Sequence, residues 1–269
     1  MRGRLAQAAG AAPVSAVAVA AAPPLWSDEQ ARFYAGLLAV SDYAARVAPL
    51  LGGPFDDLLD VGAGSGDLAL RALGEGARWR AVEPSPAMRG LLAGHRPMLA
   101  RRRIVLRIDA CGWETLPDTV GAAVVLAANL GASHHDAARL HDALRPRARR
   151  SMVWVVAAQP GPSTFCLAGL LPAALHGADV QPAHERTLAQ LGSDRQPHGC
   201  RFVDWTCRGR FADLAAAQRH FVERLALEPG SARAAAVADH VARQADAAAD
   251  GIWLHCAKRS AVLTWSAGH

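Results

Sequence analysis

The feature that most constrains the fold of this chain is a glycine-rich turn that directly follows an apolar segment. The segment 58–61 is apolar apart from Asp60, and the turn leads into a predicted helix that begins at Asp67. The turn consists of Gly62, Ala63, Gly64, Ser65 and Gly66. Glycine adopts positive φ at little cost and has no Cβ, so a ligand can contact the backbone of such a turn. The first N–H groups of the helix lie at the positive end of its dipole. The sequence therefore predicts a strand, a ligand-binding turn and a helix, in that order.

Beyond this turn, predicted strands and helices alternate along the chain. The predicted strands are 58–61, 78–82, 104–108, 122–128 and 151–158, and the predicted helices between them are 67–73, 86–93 and 136–144. The segments 122–128 and 153–156 are continuously apolar, as strands buried on both faces are. Five strands with helices between them predict an α/β fold with a doubly wound, mostly parallel sheet and helices on both faces.

The spacing and charge of the turn distinguish two cofactors. Dinucleotides favour a G-x-G-x-x-G turn, where a pyrophosphate lies on the helix N-terminus. Here the spacing is G-x-G-x-G, and Asp60 precedes the first glycine by two residues. A carboxylate at that position repels a pyrophosphate but suits a ligand with an ammonium group. S-adenosylmethionine (SAM) carries an ammonium and a sulfonium and no phosphate, so the charge pattern favours SAM.

Two further acids follow the next two predicted strands. Glu83 comes directly after the second strand, where a carboxylate can accept hydrogen bonds from both hydroxyls of a ribose, in NAD as well as in SAM. Asp109 follows the third strand, where a carboxylate can accept a hydrogen bond from an adenine amino group. The dinucleotide fingerprint does not require this second acid, so Asp109 favours SAM over NAD. The alternative interpretation is that Asp109 is an ordinary acidic residue of a loop.

The glycine turn, Glu83 and Asp109 together resemble the class I SAM-dependent methyltransferases in order and spacing, over about residues 55–160. The resemblance implies that the methionine part of SAM contacts Gly62, Ala63, Gly64 and Gly66, and that Asp60 holds its amino group. It implies that Glu83 binds the ribose. It also implies that the adenine lies near Pro84, Ser85 and Met88 and that its edge is bound by Asp109 and Ala110. It also implies a seven-stranded sheet that an antiparallel pair completes, matching 202–211 and 252–265. The long helical segment 212–249 between those two strands departs from the family pattern.

The sequence predicts three regions. Residues 1–24 form an alanine-rich tail, which we expect to be disordered; its stretch 8–24 behind Arg2 and Arg4 imitates a secretory signal, the alternative interpretation. Residues 25–53 form a separable helical lid, which begins with the capping-box spacing of Ser27 and Gln30. Residues 54–269 form the SAM-binding domain, with a core at 55–160 and acceptor-side elements at 161–250. In the latter we expect a helix over 165–175 and a polar loop over 177–199.

Candidate residues for the acceptor lie beyond the fourth strand and on the lid. Asn129, the only asparagine, follows that strand and can contact either cofactor or acceptor, or simply form a turn. His134 and His135 are candidate general bases, because histidine titrates near neutrality; exposure in the first turn of a helix is the alternative. Tyr34 and Tyr43, the only tyrosines, are candidate substrate-binding residues or helix-packing residues.

Charge and cysteine content narrow the function classes. The net charge is +5, but 28 of the 29 basic residues are arginines, clustered only at 101–103 and 145–150. We interpret these two runs as solvated loops or helix ends rather than as a nucleic-acid surface. The five cysteines include no C-x-x-C pair, which favours reduced thiols in the cytoplasm and predicts no metal site. No segment is apolar enough to span a membrane, and nothing indicates an oligomeric state.

The leading hypothesis is therefore a cytoplasmic, SAM-dependent methyltransferase that transfers a methyl group by in-line (SN2) displacement to a small-molecule acceptor. An RNA or protein methyltransferase that docks its substrate on the arginine runs is one alternative, and a non-catalytic SAM-binding partner subunit is another. An NAD oxidoreductase with a Tyr-x-x-x-Lys motif is excluded, because Lys258, near the C-terminus, is the only lysine.

Overall fold

A single mixed sheet forms the centre of the computed structural model, which describes residues 27–130, 136–161, 165–176 and 181–266. The strands in these ranges are β1 Phe55–Val61, β2 Leu73–Val82, β3 Val105–Asp109, β4 Ala122–Ala128, β5 Ala148–Ala157, β6 Gly199–Phe211, β7 Asp246–Ala248 and β8 Gly251–Ser266. Their order across the sheet is β3-β2-β1-β4-β5-β8-β6, and the short β7 pairs with β8. The strand order reverses between β1 and β4, as it does in a doubly wound sheet.

Helices connect the strands of this sheet. Those in the described ranges are α1 Asp28–Val40, α2 Tyr43–Val47, α3 Asp67–Ala72, α4 Pro86–Gly94, α5 Arg96–Arg101, α6 Ala137–Leu144, α7 Ala173–His176, α8 Ala183–Leu191, α9 Leu214–Arg224 and α10 Ala232–Gln244. The predicted capping box of α1 is confirmed: the Gln30 N–H donates to Ser27 Oγ at 3.2 Å, and the Ser27 N–H donates to Gln30 Oε1 at 3.0 Å. None of the described helices is long and apolar enough to cross a membrane.

The strand directions confirm the predicted fold class. Strands β1 to β5 are parallel to one another, whereas β8 runs antiparallel to both β5 and β6. Because β1 lies between β2 and β4, Asp60 is flanked by Ala81 on one side and Leu126 on the other. The carboxyl ends of the parallel strands share one edge, and open α/β sheets bind their ligands beyond that edge.

The predicted lid is part of the main hydrophobic core rather than a separable element. Tyr43 is 3% exposed and Val47 is fully buried, and both belong to the cluster that covers one face of β1, β4 and β5. Leu37 of α1 lies in the same cluster. Deleting this segment would expose these side chains to water, so we expect the truncated chain to unfold rather than to keep an intact core.

Three predicted segments differ from the structure. The segment 212–249, predicted as helical, contains α9 and α10 but ends in the short strand β7, Asp246–Ala248. The segment 165–175 is not one helix: a 3₁₀ turn at 168–170 is followed by the four-residue α7, because Pro172 between them has no N–H to continue a helix. The segment 181–199 contains α8 instead of only a loop. Its buried side chains Ala183, Thr187 and Leu191 follow each other at intervals of four residues, which is a helical stripe. The helix α5 was not predicted.

The two arginine runs are partly structural, which corrects their interpretation as solvated. Arg147 is buried, and its guanidinium donates to the carbonyl oxygens of Leu116 and Val120 at 2.9 and 3.2 Å. Arg102 likewise donates to the carbonyl oxygen of Leu70 at 2.9 Å. Arginine carries five N–H donors in a planar fork, so it can collect carbonyl groups where chain segments converge.

Candidate functional site

The glycine turn lies where β1 ends, and it folds back onto β2. The N–H groups of Gly62 and Ala63 both donate to the carbonyl oxygen of Val82, at 2.8 and 3.1 Å. Gly64 has φ of 57°, and a Cβ placed on it would meet no atom within 4 Å. The backbone of the turn at Gly64 therefore faces open space, so a ligand can approach it closely.

Gly66 serves a different purpose. Its φ is 87°, and a Cβ there would lie 2.5 Å from Leu92 and 2.6 Å from the Trp79 ring. The protein's own core therefore requires a glycine at this position. The contact of Gly66 with the methionine part of SAM stays a prediction. At Gly62, the Leu130 side chain covers the turn, a contact that the sequence did not indicate.

Asp60 is a buried carboxylate on β1, two residues before the turn begins. It is 4% exposed, and its Oδ2 accepts one hydrogen bond, from the Trp79 indole at 3.3 Å. Burial raises the pKa of Asp60 to about 7, and the negative charge of Glu83 adds to the rise. Within the described ranges no basic side chain pairs with Asp60. A buried carboxylate without a positive partner is costly in its ionised form, so this position favours a cationic ligand.

Glu83 joins the glycine turn to the start of α4. Its Oε2 accepts from the Gly64 N–H at 2.8 Å, and its Oε1 accepts from the Ser85 N–H at 2.8 Å. Burial raises the pKa of Glu83, while these two hydrogen bonds oppose the rise. The Glu83 N–H donates to the carbonyl oxygen of Asp109 at 3.0 Å, so the ends of β2 and β3 are adjacent. Asp60, Gly64, Glu83 and Asp109 thus come together at one edge, as the sequence indicates.

The residues predicted to lie near the adenine are in less open surroundings. Both oxygens of Asp109 accept hydrogen bonds from arginines: Arg80 Nε at 2.5 Å and Arg107 Nε at 3.2 Å. Met88 is 5% exposed and packs against alanines of α1. Ser85 caps α4, since its Oγ accepts from the Met88 N–H at 3.3 Å. An adenine that contacts Asp109 or Met88 would therefore have to fit beside these arginines and alanines.

Pro84 and Ala110 are the exposed members of the predicted adenine set. Both follow directly on strand-end acids, Glu83 and Asp109. They remain accessible for a ligand that extends outward from Glu83, and their role in cofactor binding stays a prediction.

Asn129 lies at the end of β4 and connects to the N-terminal helices. Its φ is 51°, and its backbone N–H donates to the carbonyl oxygen of Val155 at 3.0 Å. Its side-chain amide donates to the Tyr43 hydroxyl at 2.8 Å and also interacts with Tyr34. Burial raises the pKa of both tyrosines, so both phenols are neutral at physiological pH. The structure therefore brings together the three residues predicted for the acceptor side. His134 and His135 lie outside the described residues.

A cavity of about 900 Å³ opens next to Asn129, beyond the carboxyl ends of β4 and β5. Its apolar wall includes Phe33, Leu37, Val155, Phe165 and Trp205, and its polar lining includes Tyr34, Asn129, Gln159, His220, Arg224 and Lys258. Burial and then the charge of Arg224 lower the pKa of His220 to about 4, so this imidazole is neutral at physiological pH. No cluster that could hold a metal ion occurs in the ranges described above.

Sequence reasoning did not single out Gln159, His220, Arg224 or Lys258 as residues of this cavity. Lys258 is 8% exposed and lies on β8 opposite Trp205 of β6. With the Gln159 amide oriented to satisfy its neighbours, its oxygen accepts from Lys258 Nζ at 2.9 Å and its nitrogen donates to the Arg259 carbonyl at 2.8 Å. The one available signal was that this is the only lysine of the chain.

Comparisons with known proteins find similarity only at the level of structure. No protein-family model matches the chain, and no curated protein matches it. A geranyl diphosphate C-methyltransferase from Streptomyces coelicolor A3(2) is 15% identical, with 90% of this chain and 84% of that chain covered and a TM-score of 0.43. A magnesium protoporphyrin IX methyltransferase from Synechocystis PCC 6803 is 17% identical, with 65% and 78% covered and a TM-score of 0.42.

A precorrin-6y C5,15-methyltransferase from Geobacter metallireducens GS-15 is 14% identical, with 83% of this chain and 86% of that chain covered and a TM-score of 0.39. The strand order and register described above, rather than these matches, establish the fold of this chain as a doubly wound α/β sheet with an antiparallel edge.

Proposed function

We propose that this chain is a SAM-dependent methyltransferase that acts on a small-molecule acceptor. The observation that carries the proposal is the buried carboxylate of Asp60, which lies just before an open glycine turn and has no basic partner in the described ranges. A ligand with an ammonium group offsets the unfavourable burial of that charge, whereas a pyrophosphate increases it.

The residues at the strand ends divide the work of holding SAM. In this proposal Asp60 faces the ammonium, the backbone of Gly62, Ala63 and Gly64 borders the methionine part, and Glu83 accepts from the ribose hydroxyls. Each oxygen of Glu83 already accepts one backbone hydrogen bond, and a carboxylate has about four lone-pair sites, so acceptor capacity remains.

The chemistry that SAM supplies when bound is a methyl group on a sulfonium, open to in-line (SN2) displacement by an acceptor. The task of this chain is then mainly to hold the acceptor in line and to exclude water, because positioning alone can lower a barrier substantially. Asn129, fixed by its backbone bond to Val155 and its side-chain bond to Tyr43, is one of the polar groups that line the cavity. His134 and His135 stay candidate bases for an acceptor that loses a proton.

The size of the cavity supports a small-molecule acceptor. Its volume of about 900 Å³ falls within the roughly 300–1,000 Å³ range of small-molecule sites. Arginines that an RNA substrate would need, Arg102 and Arg147, instead bind backbone carbonyls of the protein. All five cysteines are free thiols, which supports a reducing compartment such as the cytoplasm.

Two glycines with the same backbone demand provide a matched test of the cofactor site. Gly64 and Gly76 have φ of 57° and 73°, and a Cβ placed on either of them would meet no atom within 4 Å. Gly64→Ala and Gly76→Ala should therefore cost similar folding stability, of about 1–2 kcal/mol. Only Gly64→Ala should weaken S-adenosylhomocysteine (SAH) binding in calorimetry. Equal affinity in the two variants would contradict the assignment of the turn.

The acceptor itself requires a separate experiment. The pure full-length protein is incubated with methyl-labelled SAM and an extract of its source, and the products are separated into small-molecule, RNA and protein fractions. The proposal predicts label in the small-molecule fraction. Label confined to RNA or protein would support the alternative substrates, and SAH binding without any labelled product would support a non-catalytic SAM-binding subunit.

A further inference from the structure

The floor of the cavity contains a buried positive charge. Lys258 lies on β8 with Ser260 two residues further along, so both side chains point to the same face of the sheet as Trp205 of β6. The Trp205 indole donates to Ser260 Oγ at 3.0 Å, which fixes the ring beside the lysine. All three residues line the cavity, and Lys258 is only 8% exposed.

This ammonium has a neutral partner but no anionic one. It donates to the Gln159 amide oxygen, at 2.9 Å, and within the described ranges no carboxylate forms an ion pair with it. A lysine ammonium carries three N–H donors, so one amide oxygen leaves capacity for more acceptors. Burying a charge is costly unless it is paired. The arrangement therefore suits an anion supplied from outside the chain.

A second cation lies on the same cavity. Arg224 of α9 lines it with its guanidinium 5.8 Å from the Phe165 ring. A hydrogen bond with Cys207, followed by the charges of Lys258 and Arg224, lowers the pKa of the Cys166 thiol, so both cations act on this part of the lining.

The remaining charged residues of the lining are at the rim. Glu29, Arg32, Glu223 and Arg224 are solvent-exposed on α1 and α9. Arg32 also approaches Asp28 at 3.8 Å on the surface of its own helix. Exposed charges are screened by water and salt, so they act weakly on a group at the floor. Lys258 is therefore the charge that dominates the buried part of the cavity.

Apolar side chains form much of the cavity wall. Phe33 and Leu37 of α1, Val155 of β5 and Phe165 border the same space as Lys258. Such a lining favours a ligand with an aromatic or aliphatic body, and a few polar groups then fix its orientation. A compact inorganic anion would leave this apolar surface uncovered.

We propose that the methyl acceptor is an amphipathic organic anion, whose carboxylate or phosphate binds Lys258 at the cavity floor while its apolar body packs against the aromatic walls. The proposal rests on the proposed methyltransferase function, because it assigns this cavity to the acceptor. The acidic residues Asp60 and Glu83 are not part of the cavity lining, so cation and anion have separate places in the site.

The experiment measures binding of four probes to the full-length protein by calorimetry: octanoate, octyl phosphate, 1-octanol and SAH. The variants are Lys258→Met and, as a control with the same loss of charge, Arg259→Met. Arg259 is the next residue, is half-exposed, and forms its ion pair with Asp204 at 2.7 Å outside the cavity.

Wild-type protein should bind octanoate or octyl phosphate more tightly than 1-octanol, and the tighter of the two anions identifies the acceptor's headgroup. Lys258→Met should weaken the anion by about tenfold to 100-fold and leave 1-octanol unchanged. The Arg259→Met variant should bind the anion and 1-octanol with the same affinities as the wild type. Lys258→Met should also melt at or above the wild-type temperature, because an unpaired buried charge has been removed, whereas a lysine with only a structural role would lower it on removal.

Two results would overturn the proposal: wild-type protein that shows no preference for either anion over 1-octanol, or Lys258→Met with unchanged anion affinity. The first comparison needs no variant and so does not depend on how Lys258→Met folds. SAH binding distinguishes a failure of the proposed acceptor class from a failure of the proposed methyltransferase function. Loss of the anion preference with normal SAH binding removes only the acceptor class, whereas absent SAH binding removes the methyltransferase function.

Discussion

The cofactor edge, formed by the ends of β1, β2 and β3, and the acceptor cavity beyond β4, β5 and β8 are opposite in charge. Asp60 and Glu83 make the first region acidic at its centre, and burial raises the pKa of both. Lys258 makes the buried part of the second region basic. In the proposed assignment, the cofactor edge therefore suits a cationic ligand and the cavity an anionic one.

The two regions also differ in how they are assembled. The cofactor edge consists of short segments around strand ends, and the Gly64–Glu83 hydrogen bond spans 19 residues of sequence. The cavity joins distant segments: Trp205 bonds to Ser260 across 55 residues, and the lining residue Asn129 bonds to Tyr43 across 86. A change in the cavity wall should therefore disturb contacts between segments that are far apart in the sequence.

The largest effect should come from Glu83→Ala. The substitution removes the proposed ribose acceptor and the two hydrogen bonds that shape the turn, and we expect SAH to bind about 1.5–3 kcal/mol more weakly in calorimetry. Glu75→Ala is the control, since Glu75 is an exposed acid at the other end of β2 and pairs with Arg103. Similar SAH affinity in both variants would refute the proposed ribose contact.

A smaller effect should appear as a pH dependence of SAM binding. The pKa of Asp60 is raised from 3.8 to about 7, so the ligand-free protein takes up a proton at mildly acidic pH that a cationic ligand must displace. Affinity should rise by up to about tenfold per pH unit as pH increases towards 7, and level off above it. Calorimetry in buffers of different ionisation enthalpy measures the released proton. The Asp60→Asn variant should bind SAM more weakly, and its affinity should depend less on pH. An unchanged pH dependence in this variant would contradict the proposed contact between Asp60 and the ammonium group.

The same shift has a consequence for stability without ligand. Because the folded-state pKa of Asp60 lies above its unfolded value, the folded protein binds more protons between about pH 4 and 7. The contribution of Asp60 to stability is then full below that range and is lost as pH rises through 7. Urea unfolding should show this decline in the wild type and not in Asp60→Asn. The raised pKa of Asp60 would be contradicted if the free energy of unfolding of the wild type rose between pH 4 and 7 and that of Asp60→Asn rose by the same amount.

The smallest effect should come from Tyr43→Phe. The change deletes the oxygen that accepts from the Asn129 amide, at a position that is 3% exposed. We expect the free energy of unfolding to fall by about 0.5–1.5 kcal/mol, the net value of one hydrogen bond. SAH affinity should fall much less than in Glu83→Ala, because the Tyr43 hydroxyl is hydrogen-bonded to Asn129 rather than to the glycine turn or to Glu83. A variant that loses SAH affinity as strongly as Glu83→Ala would erase the distinction between the two regions.

The meeting of Asp60, Gly64, Glu83 and Asp109 at one edge of the sheet could be predicted because its signals are local. A glycine turn after an apolar strand, with acids at three successive strand ends, requires only that parallel strands end at the same edge. Even here, the sequence did not distinguish Gly64, which faces open space, from Gly66, whose Cβ position is filled by Leu92 and Trp79. That difference depends on how Leu92 and Trp79 pack against the turn, which the glycine spacing does not encode.

The acceptor cavity could not be predicted in the same way. Lys258 lies in the middle of a strand, and alternation assigns it to one of two faces without saying which face is covered by α1 and α9. The polar composition around α8 concealed a helix whose buried stripe consists of Ala183, Thr187 and Leu191. Tyr43 was assigned to a lid, although its burial against Trp205, with ring centroids 4.8 Å apart, makes it part of the core.

The most direct test of the account is a calorimetric titration of the full-length protein with SAH, followed by the same titration with NAD⁺. The buried, unpaired Asp60 just before the open glycine turn predicts saturable binding of a single SAH per chain and no competition by NAD⁺. No saturable SAH binding, or NAD⁺ that binds and displaces SAH, would contradict the central claim that this edge of the sheet selects a cationic cofactor.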